Sequence, residues 1–400
     1  MHPISASADL HYFPYQSEGI AFALRREGTL IADEMGLGKT VQAIGVINAD
    51  PAIRTVLVVC PATMKLVWKR ELEHWLNRRF EIHLVGAQSD ILDARMPSVD
   101  ITIINYDRLN DHRIGLLRMV WDLAIFDECH YLKNPGARRT KIATAIKAKR
   151  RVALSGTPLL NRPAELRPIL SWLDPAAWPQ NGWHEFGVRY CGALWNGFGW
   201  EYKGATNLEE LAGLLRQTVM LRRTKKEVLP CLPCKFRSVI ELAPGRDLQR
   251  LIQAELSSFE RWMETVSGTS GDPAVDGYKT GVKGLHLFRG EQWSNLANAR
   301  HQTALAKLPL IIEFVKELFG SGAGKIVIFA HHRDVIENLR EALRDFAPVI
   351  LRGDTPPTAR MKQWIDLAPI LQSEFLLVTS KRRERVSHWH RPALTVYLLR

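Results

Sequence analysis

The sequence predicts an α/β protein in which a parallel sheet is followed by a helical segment and then by a second sheet domain. Three observations support this prediction. Short β-rich runs alternate with longer helical stretches over residues 29–155, the strand signal fades between about 160 and 240, and the alternation returns from about 303. Such alternation is typical of βαβ units, which place their strands side by side in parallel.

The first stretch contains five apolar, β-rich runs, each ending in or followed by a polar or turn-forming residue. Because the carboxyl ends of parallel strands meet at one edge of a sheet, this edge is predicted to bind a ligand. The five candidate strands are TLIAD (29–33), TVLVVC (55–60), ITIIN (101–105), LAIFD (123–127) and RVALS (151–155).

Residue spacing and composition also predict helices, a loop and further strands in the rest of the chain. Helical spacing of apolar residues marks ELRPILSWL (165–173) and NLEELAGLLRQTVMLRR (207–223). Residues 266–284 combine Gly, Ser, Asp and Pro without periodicity, which predicts a flexible surface loop. The runs KIVIFA (325–330) and FLLVTS (375–380) predict strands of the second sheet.

Composition excludes several classes of protein. With 400 residues, 46% of them hydrophobic, the chain is long enough for two or three domains with buried cores. No apolar run approaches the roughly 18 residues of a membrane span. The first residues lack a secretory signal and the five cysteines suit a reducing compartment, so we expect an intracellular protein, cytoplasmic and nucleoid-associated in a bacterium or nuclear in a eukaryote. The net charge of +12 favours a polyanionic partner such as nucleic acid, and a role in solubility alone is the alternative.

A phosphate-binding loop is predicted after the first candidate strand, where residues 34–40 lead into a helical pattern. Glycines let backbone N–H groups approach oxyanions, the lysine supplies a charge, and the threonine can ligate magnesium. Asp33 stands where the general motif has its first glycine, and a chance match is the alternative. The predicted nucleotide-binding residues of the loop are Gly36, Leu37, Gly38, Lys39 and Thr40.

Two carboxylates follow a later strand of the same stretch. Asp127 and Glu128 come directly after LAIF, so they are predicted to lie at the same sheet edge as the phosphate loop. Asp127 is predicted to hold Mg²⁺ together with Thr40, and Glu128 to act as the catalytic base that orients the attacking water, with Lys39 on the phosphates. The alternative for an isolated Asp-Glu pair is a solvated acidic turn.

Gln16 lies about one helix upstream of the phosphate loop. Its amide can read adenine through paired donor and acceptor bonds, although an exposed glutamine without a ligand is the alternative. Ser155, Gly156 and Thr157 end the next strand and place two hydroxyls at the same edge. They either link the nucleotide to a polymer site or cap a turn.

These residues together resemble the Snf-type ATPases of helicase superfamily two, and among them the HepA-related annealing helicases. The resemblance extends from about residue 12 to 380. The annealing-helicase branch is indicated by WHEFGVRYC (183–191). The family resemblance as a whole is carried by FPYQ (13–16), ADEMGLGKT (32–40), LVVCPATMKLVWKREL (57–72), INYDRL (104–109), DECH (127–130), LSGTP (154–158) and MLRRTKKEVLPCLP (220–233).

The resemblance implies a RecA-like parallel-sheet lobe with a helical insertion, followed by a second RecA-like lobe, with ATP in the cleft between the lobes. It implies ATP and Mg²⁺ as cofactors and DNA as the partner, bound mainly through its phosphates. Arg222 and Arg223 match arginines that brace the helical subdomain. The segment that borders the DNA backbone in this family contains Thr63, Lys65 and Trp68.

The second lobe departs from the family pattern after Ser380, where the chain reads KRRERVSHWHRPALTVYLLR instead of a Gly-rich motif and a later arginine-bearing segment. We therefore expect an incomplete second lobe with impaired turnover, and we hypothesise a reading-frame change or truncation near 381. A basic DNA-binding arm is the alternative. The predicted parts are 1–160, an ATP-binding lobe; 161–302, a helical insertion; and 303–400, a partial second lobe with an aberrant basic tail from 381.

The sequence thus predicts an ATP-dependent DNA translocase or helicase-like ATPase without a membrane segment. Two alternatives stay open. One is an RNA helicase, which uses the same ATPase machinery. The other is a protein that binds nucleotide and DNA without turnover, which follows from the absent arginine segment.

Overall fold

The computed structural model divides the chain into two units, Met1–Lys235 and Phe236–Arg400. The division between the two units falls after Lys235. The boundaries expected from the sequence, at 160 and 302, stay predictions. The residues that the structure describes are 5–7, 10–86, 100–157, 162–232, 244–267, 291–321, 325–351, 375–379 and 394–399.

The first unit is built on a seven-stranded sheet with the order β3-β4-β2-β5-β6-β1-β9, all of whose pairings are parallel. The inner strands are Val-, Ile- and Leu-rich and buried on both faces, as parallel strands covered by helices must be. The strands of this unit, including a separate two-stranded hairpin β7-β8, are β1 Gly28–Ile31, β2 Val56–Cys60, β3 Ile82–Leu84, β4 Ile101–Asn105, β5 Val120–Phe126, β6 Lys147–Leu154, β7 Leu194–Trp195, β8 Trp200–Glu201 and β9 Met220–Leu221.

Helices cover both faces of this sheet. One core layer contains Ile20, Ile44 and Trp68, and the other contains Trp172, which stacks on Phe126 with ring centroids 3.9 Å apart. The helices are α1 Pro14–Leu24, α2 Lys39–Ala49, α3 Lys65–Trp75, α4 Arg113–Arg118, α5 Arg138–Ala145, α6 Arg167–Leu173, α7 Trp183–Tyr190, α8 Leu208–Thr218 and α9 Lys225–Val228.

The helical segment after β6 shares its core with the sheet. Leu215 and Met220 lie in the same buried cluster as Leu30 of β1. At the end of the segment, β9 pairs with β1 so that Met220 lies opposite Leu30. Sequence reasoning did not predict β9, because two residues carry no strand periodicity.

The second unit contains a four-stranded sheet with the order β11-β12-β10-β13. β13 is antiparallel to β10, whereas the other pairings are parallel. Its core includes Val315, Ile328 and Leu339. The elements are α10 Arg246–Ser267, α11 Glu291–Ala306, α12 Leu308–Gly320, β10 Lys325–Ala330, α13 Arg333–Ala342, β11 Val349–Leu351, β12 Phe375–Thr379 and β13 Leu394–Leu399.

Two predicted features fall largely outside the described residues. The flexible loop predicted near 266–284 is undescribed from residue 268 onwards. Within the basic tail predicted from 381, only 394–399 is described, and these residues form β13. Across the described parts of the chain, no helix is both long and apolar enough to cross a membrane.

Asp122 joins three strands at the amino-terminal end of the first sheet. Its carboxylate accepts hydrogen bonds from the backbone N–H groups of Arg54 and Thr55, at 2.9 Å each, and from the Lys149 ammonium at 2.8 Å. Burial alone would raise the pKa of this carboxyl group, but these hydrogen bonds lower it to about 2. The ionised carboxylate therefore stabilises the fold above its ordinary pKa, and this stabilisation is lost as the pH falls towards the lowered value.

We expect Asp122→Asn to lower the free energy of unfolding by about 1–3 kcal/mol at neutral pH, because a charged acceptor of several hydrogen bonds is removed. The difference from the wild type should shrink between about pH 4 and pH 2, as Asp122 itself is protonated. Urea unfolding at several pH values measures this. Asp107→Asn, at an exposed ion pair with Arg139, is the control and should change stability little. A difference independent of pH would contradict the prediction.

Candidate nucleotide site

The predicted phosphate loop connects β1 to α2. Gly36 and Gly38 have φ values of +87° and +70°, the left-handed region that side chains other than glycine rarely adopt. A Cβ atom on Gly38 would lie only 2.4 Å from Nε2 of Gln16. Leu37 between them is fully buried and anchors the loop. Glycine is thus required at 38 both by conformation and by space.

Lys39 begins α2, and its ammonium group turns back onto the loop. Its Nζ donates to the carbonyl oxygens of Asp33, at 3.0 Å, and Glu34, at 3.3 Å. Burial lowers the pKa of Lys39, whereas the negative charges of Glu128, Asp33 and Asp127 oppose this shift. The ammonium group therefore lies in the field of both carboxylates that follow β5.

The tip of β6 also reaches this loop. A Cβ atom on Gly156 would lie 3.4 Å from Nζ of Lys39. Ser155 is fully buried and its hydroxyl accepts a hydrogen bond from the N–H group of Thr157. The tips of β1, β5 and β6 thus converge at one edge of the sheet, where the sequence predicts a ligand.

Asp127 is held rigidly at the end of β5. Its Oδ2 accepts a hydrogen bond from Nε1 of Trp68 at 2.8 Å, and its Oδ1 accepts one from the N–H group of Glu128 at 2.9 Å. The hydroxyl group of Tyr106 donates to its carbonyl oxygen at 2.6 Å. Burial raises the pKa of Asp127, and the Trp68 hydrogen bond acts in the opposite direction.

Glu128 has the backbone conformation of a left-handed residue, with φ at +48°. A non-glycine residue in this region carries strain, which is often found where a functional side chain must be aimed. One carboxylate oxygen of Glu128 lies 3.1 Å from Nδ1 of His130.

Thr40, the other predicted Mg²⁺ ligand, is the second residue of α2, and its side chain is half-buried.

The Gln16 side chain is buried against the phosphate loop. Its Oε1 accepts a hydrogen bond from the N–H group of Phe13 at 3.0 Å, which caps the first turn of α1. Its Nε2 is the atom that crowds Gly38. The acceptor of the amide is thus already used within α1, and the adenine contact stays a prediction.

Sequence reasoning missed a buried ionic network beneath the loop. Asp33 is fully buried, and its carboxylate is paired with Arg223, whose Nη2 lies 2.6 Å from Oδ2. The N–H group of Arg223 and Nε2 of Gln42 also donate to this carboxylate, at 3.0 and 2.9 Å. The Arg223 guanidinium further contacts the carbonyl oxygen of Tyr15 in α1. The arginine thus fixes the phosphate loop to α1 and to the end of β9.

The family resemblance predicts that Arg222 and Arg223 brace the helical subdomain. In the structure, Nη1 of Arg222 donates to the carbonyl oxygen of Ala32 at 3.2 Å, and Arg223 pairs with Asp33. The resemblance also predicts that the segment containing Trp68 borders DNA. This stays a prediction, and the Trp68 side chain itself is fully buried beside Asp127. The only sequence signal for these contacts is the charged Asp33 at the end of an apolar strand, which demands a partner.

These residues fit a nucleotide phosphate and a divalent cation. The glycines leave space that a Cβ would fill, and Asp127 and Thr40 offer the oxygen ligands that Mg²⁺ prefers. No group of three or more His, Cys, Asp or Glu side chains able to hold a metal ion occurs in the described ranges. In proteins, Mg²⁺ usually binds through one or two carboxylates together with water and phosphate oxygens.

The sequence model of the SNF2-related domain matches residues 15–269, which is more than half of the chain. The chain belongs to the SNF2-related family. This confirms the resemblance to Snf-type ATPases that the motifs indicated. Membership of this ATPase family implies nucleotide binding.

SNF2-related proteins from animals are similar to most of this chain. The DNA annealing helicase and endonuclease ZRANB3 of Bos taurus is 34% identical over 366 residues, covering 87% of this chain and 32% of the relative. The SWI/SNF-related matrix-associated actin-dependent regulator of chromatin subfamily A-like protein 1 of Xenopus tropicalis is 33% identical over 359 residues, covering 87% and 35%. The chain spans about a third of the length of these curated relatives.

A solved SNF2 structure has the same fold. The Sulfolobus solfataricus SWI2/SNF2 ATPase core in complex with dsDNA superposes with a TM-score of 0.51 at 21% identity, covering 95% of this chain and 80% of that one. Together with the parallel seven-stranded sheet, this likeness confirms the predicted α/β, RecA-like fold.

We expect the Asp33–Arg223 pair to be strongly coupled. Arg223→Met should lower the free energy of unfolding of the first unit by about 3–5 kcal/mol, because it leaves a buried carboxylate without its charged partner. The double variant Asp33→Asn, Arg223→Met should lose much less than the sum of the single losses. A double-mutant cycle by chemical denaturation measures the coupling. If the losses of unfolding free energy in the two single variants simply added up in the double variant, the buried Asp33–Arg223 ion pair would be contradicted.

Proposed function

We propose that this protein hydrolyses ATP in a reaction stimulated by DNA and uses the hydrolysis to move on DNA or reanneal it. The observation that carries the proposal is the convergence of Lys39 with Asp127 and Glu128, whose charges act on its ammonium group. A cation on a glycine-rich loop beside two carboxylates is the arrangement that phosphoryl transfer from a nucleoside triphosphate requires.

Each residue of the site takes one role in this proposal. The N–H groups of the loop from Gly36 to Thr40 bind the phosphates, and Lys39 exchanges its two carbonyl partners for phosphate oxygens. Gln16 contacts the adenine. Glu128, aimed by its left-handed backbone, orients the attacking water and accepts its proton.

Asp127 and Thr40 would hold Mg²⁺ in this proposal. The ion, when bound, neutralises charge on the phosphates and stabilises the transition state. Asp127 has both carboxylate oxygens hydrogen-bonded before any ligand arrives, so its orientation is fixed in advance. Such pre-organisation reduces the cost of rearrangement during the reaction.

DNA as the partner is supported by charge and by the relatives. The net charge of +12 suits a phosphate backbone. The relatives named above include a DNA annealing helicase, and the SNF2 core of similar fold was solved with dsDNA. We further propose that the protein acts inside the cell, where its DNA substrate lies.

The proposal is tested by nucleotide binding and hydrolysis with the 400-residue chain. We expect duplex or forked DNA to stimulate hydrolysis more than RNA does. Lys39→Ala should weaken ATP binding by about 10- to 100-fold, because a charge-assisted contact is lost. Glu128→Gln should keep ATP binding but lower hydrolysis by about 10²- to 10⁴-fold, since the base is lost.

Other outcomes would point to the alternatives. Greater stimulation by RNA would replace DNA by RNA as the partner. Tight ATP binding with hydrolysis at background, whichever nucleic acid is added, would favour a binding protein without turnover. Unchanged ATP binding by Lys39→Ala would contradict a nucleotide site on this loop.

The hydrogen bond from Trp68 to Asp127 gives a separate prediction. Trp68→Phe keeps an apolar ring but removes the N–H donor, so Asp127 is less firmly oriented. We expect the Mg²⁺ concentration for half-maximal hydrolysis to rise by about 10-fold, as is typical when a partner of a metal ligand is lost. Affinity for ATP in EDTA should change little.

Trp121→Phe is the matched control. Trp121 is also fully buried, but its Nε1 donates to the carbonyl oxygen of Leu116, away from Asp127. The control should lose similar stability without a change in Mg²⁺ requirement. Equal shifts in the two variants would show that Trp68 acts only through packing.

A further inference from the structure

The end of β9 and the segment that follows it lie beside the connection from β1 to the phosphate loop. Two backbone hydrogen bonds fix them there, from the N–H group of Ala32 to the carbonyl oxygen of Leu221 at 2.7 Å and from that of Glu34 to the carbonyl oxygen of Arg223 at 2.9 Å. The loop is therefore flanked on one side by residues that come about 190 positions later in the chain.

Within this segment, Lys225 reaches the phosphate loop at Gly36. Its backbone N–H group donates to Oε2 of Glu34 at 2.7 Å, which positions the residue independently of its side chain. Its Nζ and Cε atoms lie 3.3 Å from the place that a Cβ on Gly36 would occupy. The half-buried side chain thus lies against the loop at Gly36.

The charges around Lys225 leave its ammonium group available for an anion. The fully buried carboxylate of Asp33 is already paired with Arg223. The Glu34 carboxylate accepts a hydrogen bond from the backbone N–H group of Lys225. Among the residues that the structure describes, the Lys225 ammonium group has no hydrogen bond or ion pair.

We propose that Lys225 forms a second phosphate-binding subsite, in which its ammonium group contacts the phosphates of a nucleoside di- or triphosphate held by residues 36–40. This subsite rests on the proposed function, since it needs a nucleotide on the same loop. Lys39 binds the phosphates from the start of α2, and Lys225 binds them from the opposite side of Gly36.

The subsite adds a second reason why residue 36 is glycine. Gly36 already needs a left-handed φ of +87°, and any side chain there would also press on Lys225. The subsite also connects the nucleotide to the helical segment, because Lys225 follows β9, the strand that ends this segment. Phosphate binding is thereby linked to the position of β9.

The experiment compares Lys225→Met, which keeps the aliphatic stem, with Lys226→Met on the same short helix α9. Lys226 is exposed and is the matched control. Fluorescent ATP, ADP and adenosine are titrated against the full chain. We expect Lys225→Met to weaken ATP and ADP binding by about 10-fold and to leave adenosine unchanged, since one charge-assisted contact is removed. Lys225→Arg should restore most of the affinity.

The outcomes separate this inference from the proposed function. If the wild type binds ATP, Lys39→Ala weakens this binding and Lys225→Met binds like the wild type, the subsite is wrong and the nucleotide site stands. Equal losses in Lys225→Met and Lys226→Met would indicate a general charge effect and would also overturn it. If the wild type binds no ATP, both proposals fail.

If Lys225→Met unfolds, as judged by its thermal transition, Lys225→Gln replaces it, because glutamine keeps the polar end and the backbone contact to Glu34. The expected loss is the same, since glutamine carries no charge. Wild-type affinity in a folded Lys225→Gln would likewise overturn the subsite.

Discussion

The candidate nucleotide site depends on a single buried charge. Asp33 follows strand β1 and is fully buried, so its carboxylate requires a partner that the neighbouring sequence does not supply. Arg223 supplies that partner from beyond the whole helical segment. The ion pair fixes the end of β9, the start of α1 and the phosphate loop to one another, and the geometry of the loop therefore depends on the helical segment being folded.

A second constraint is the parallel sheet itself. In such a sheet all carboxyl ends lie at one edge, so the tips of β1, β5 and β6 converge without any special contact between them. The convergence places Lys39 in the field of Asp127 and Glu128. Buried hydrogen bonds then orient the individual groups. Trp68 and Tyr106 hold Asp127 from different elements, and each contact uses an N–H or O–H group that burial would otherwise leave unsatisfied.

Sequence reasoning located five of the seven strands of the first sheet, and the loop, because these are local patterns. Strands β2 and β4 lie within the predicted runs, and the loop occupies the predicted residues. It did not find β3 or β9, which are too short to show a clear periodicity. It also did not find that the Trp68 side chain, in the segment predicted to border DNA, is buried beside Asp127. The roles of Lys39, Asp127 and Glu128 stay predictions, since their placement is known but no ligand defines their use.

The fold class, the family and the residues at the sheet edge can all be predicted from the order of residues along the chain. They follow from short-range patterns: alternating apolar runs, a glycine-lysine loop and a carboxylate pair directly after a strand. Which distant side chains hold that edge in place is visible only in the folded protein. Asp33 and Arg223, Trp68 and Asp127, and Gly36 with Lys225 are pairs far apart in the chain. Their contacts arise from packing in three dimensions, which no periodicity along the chain encodes.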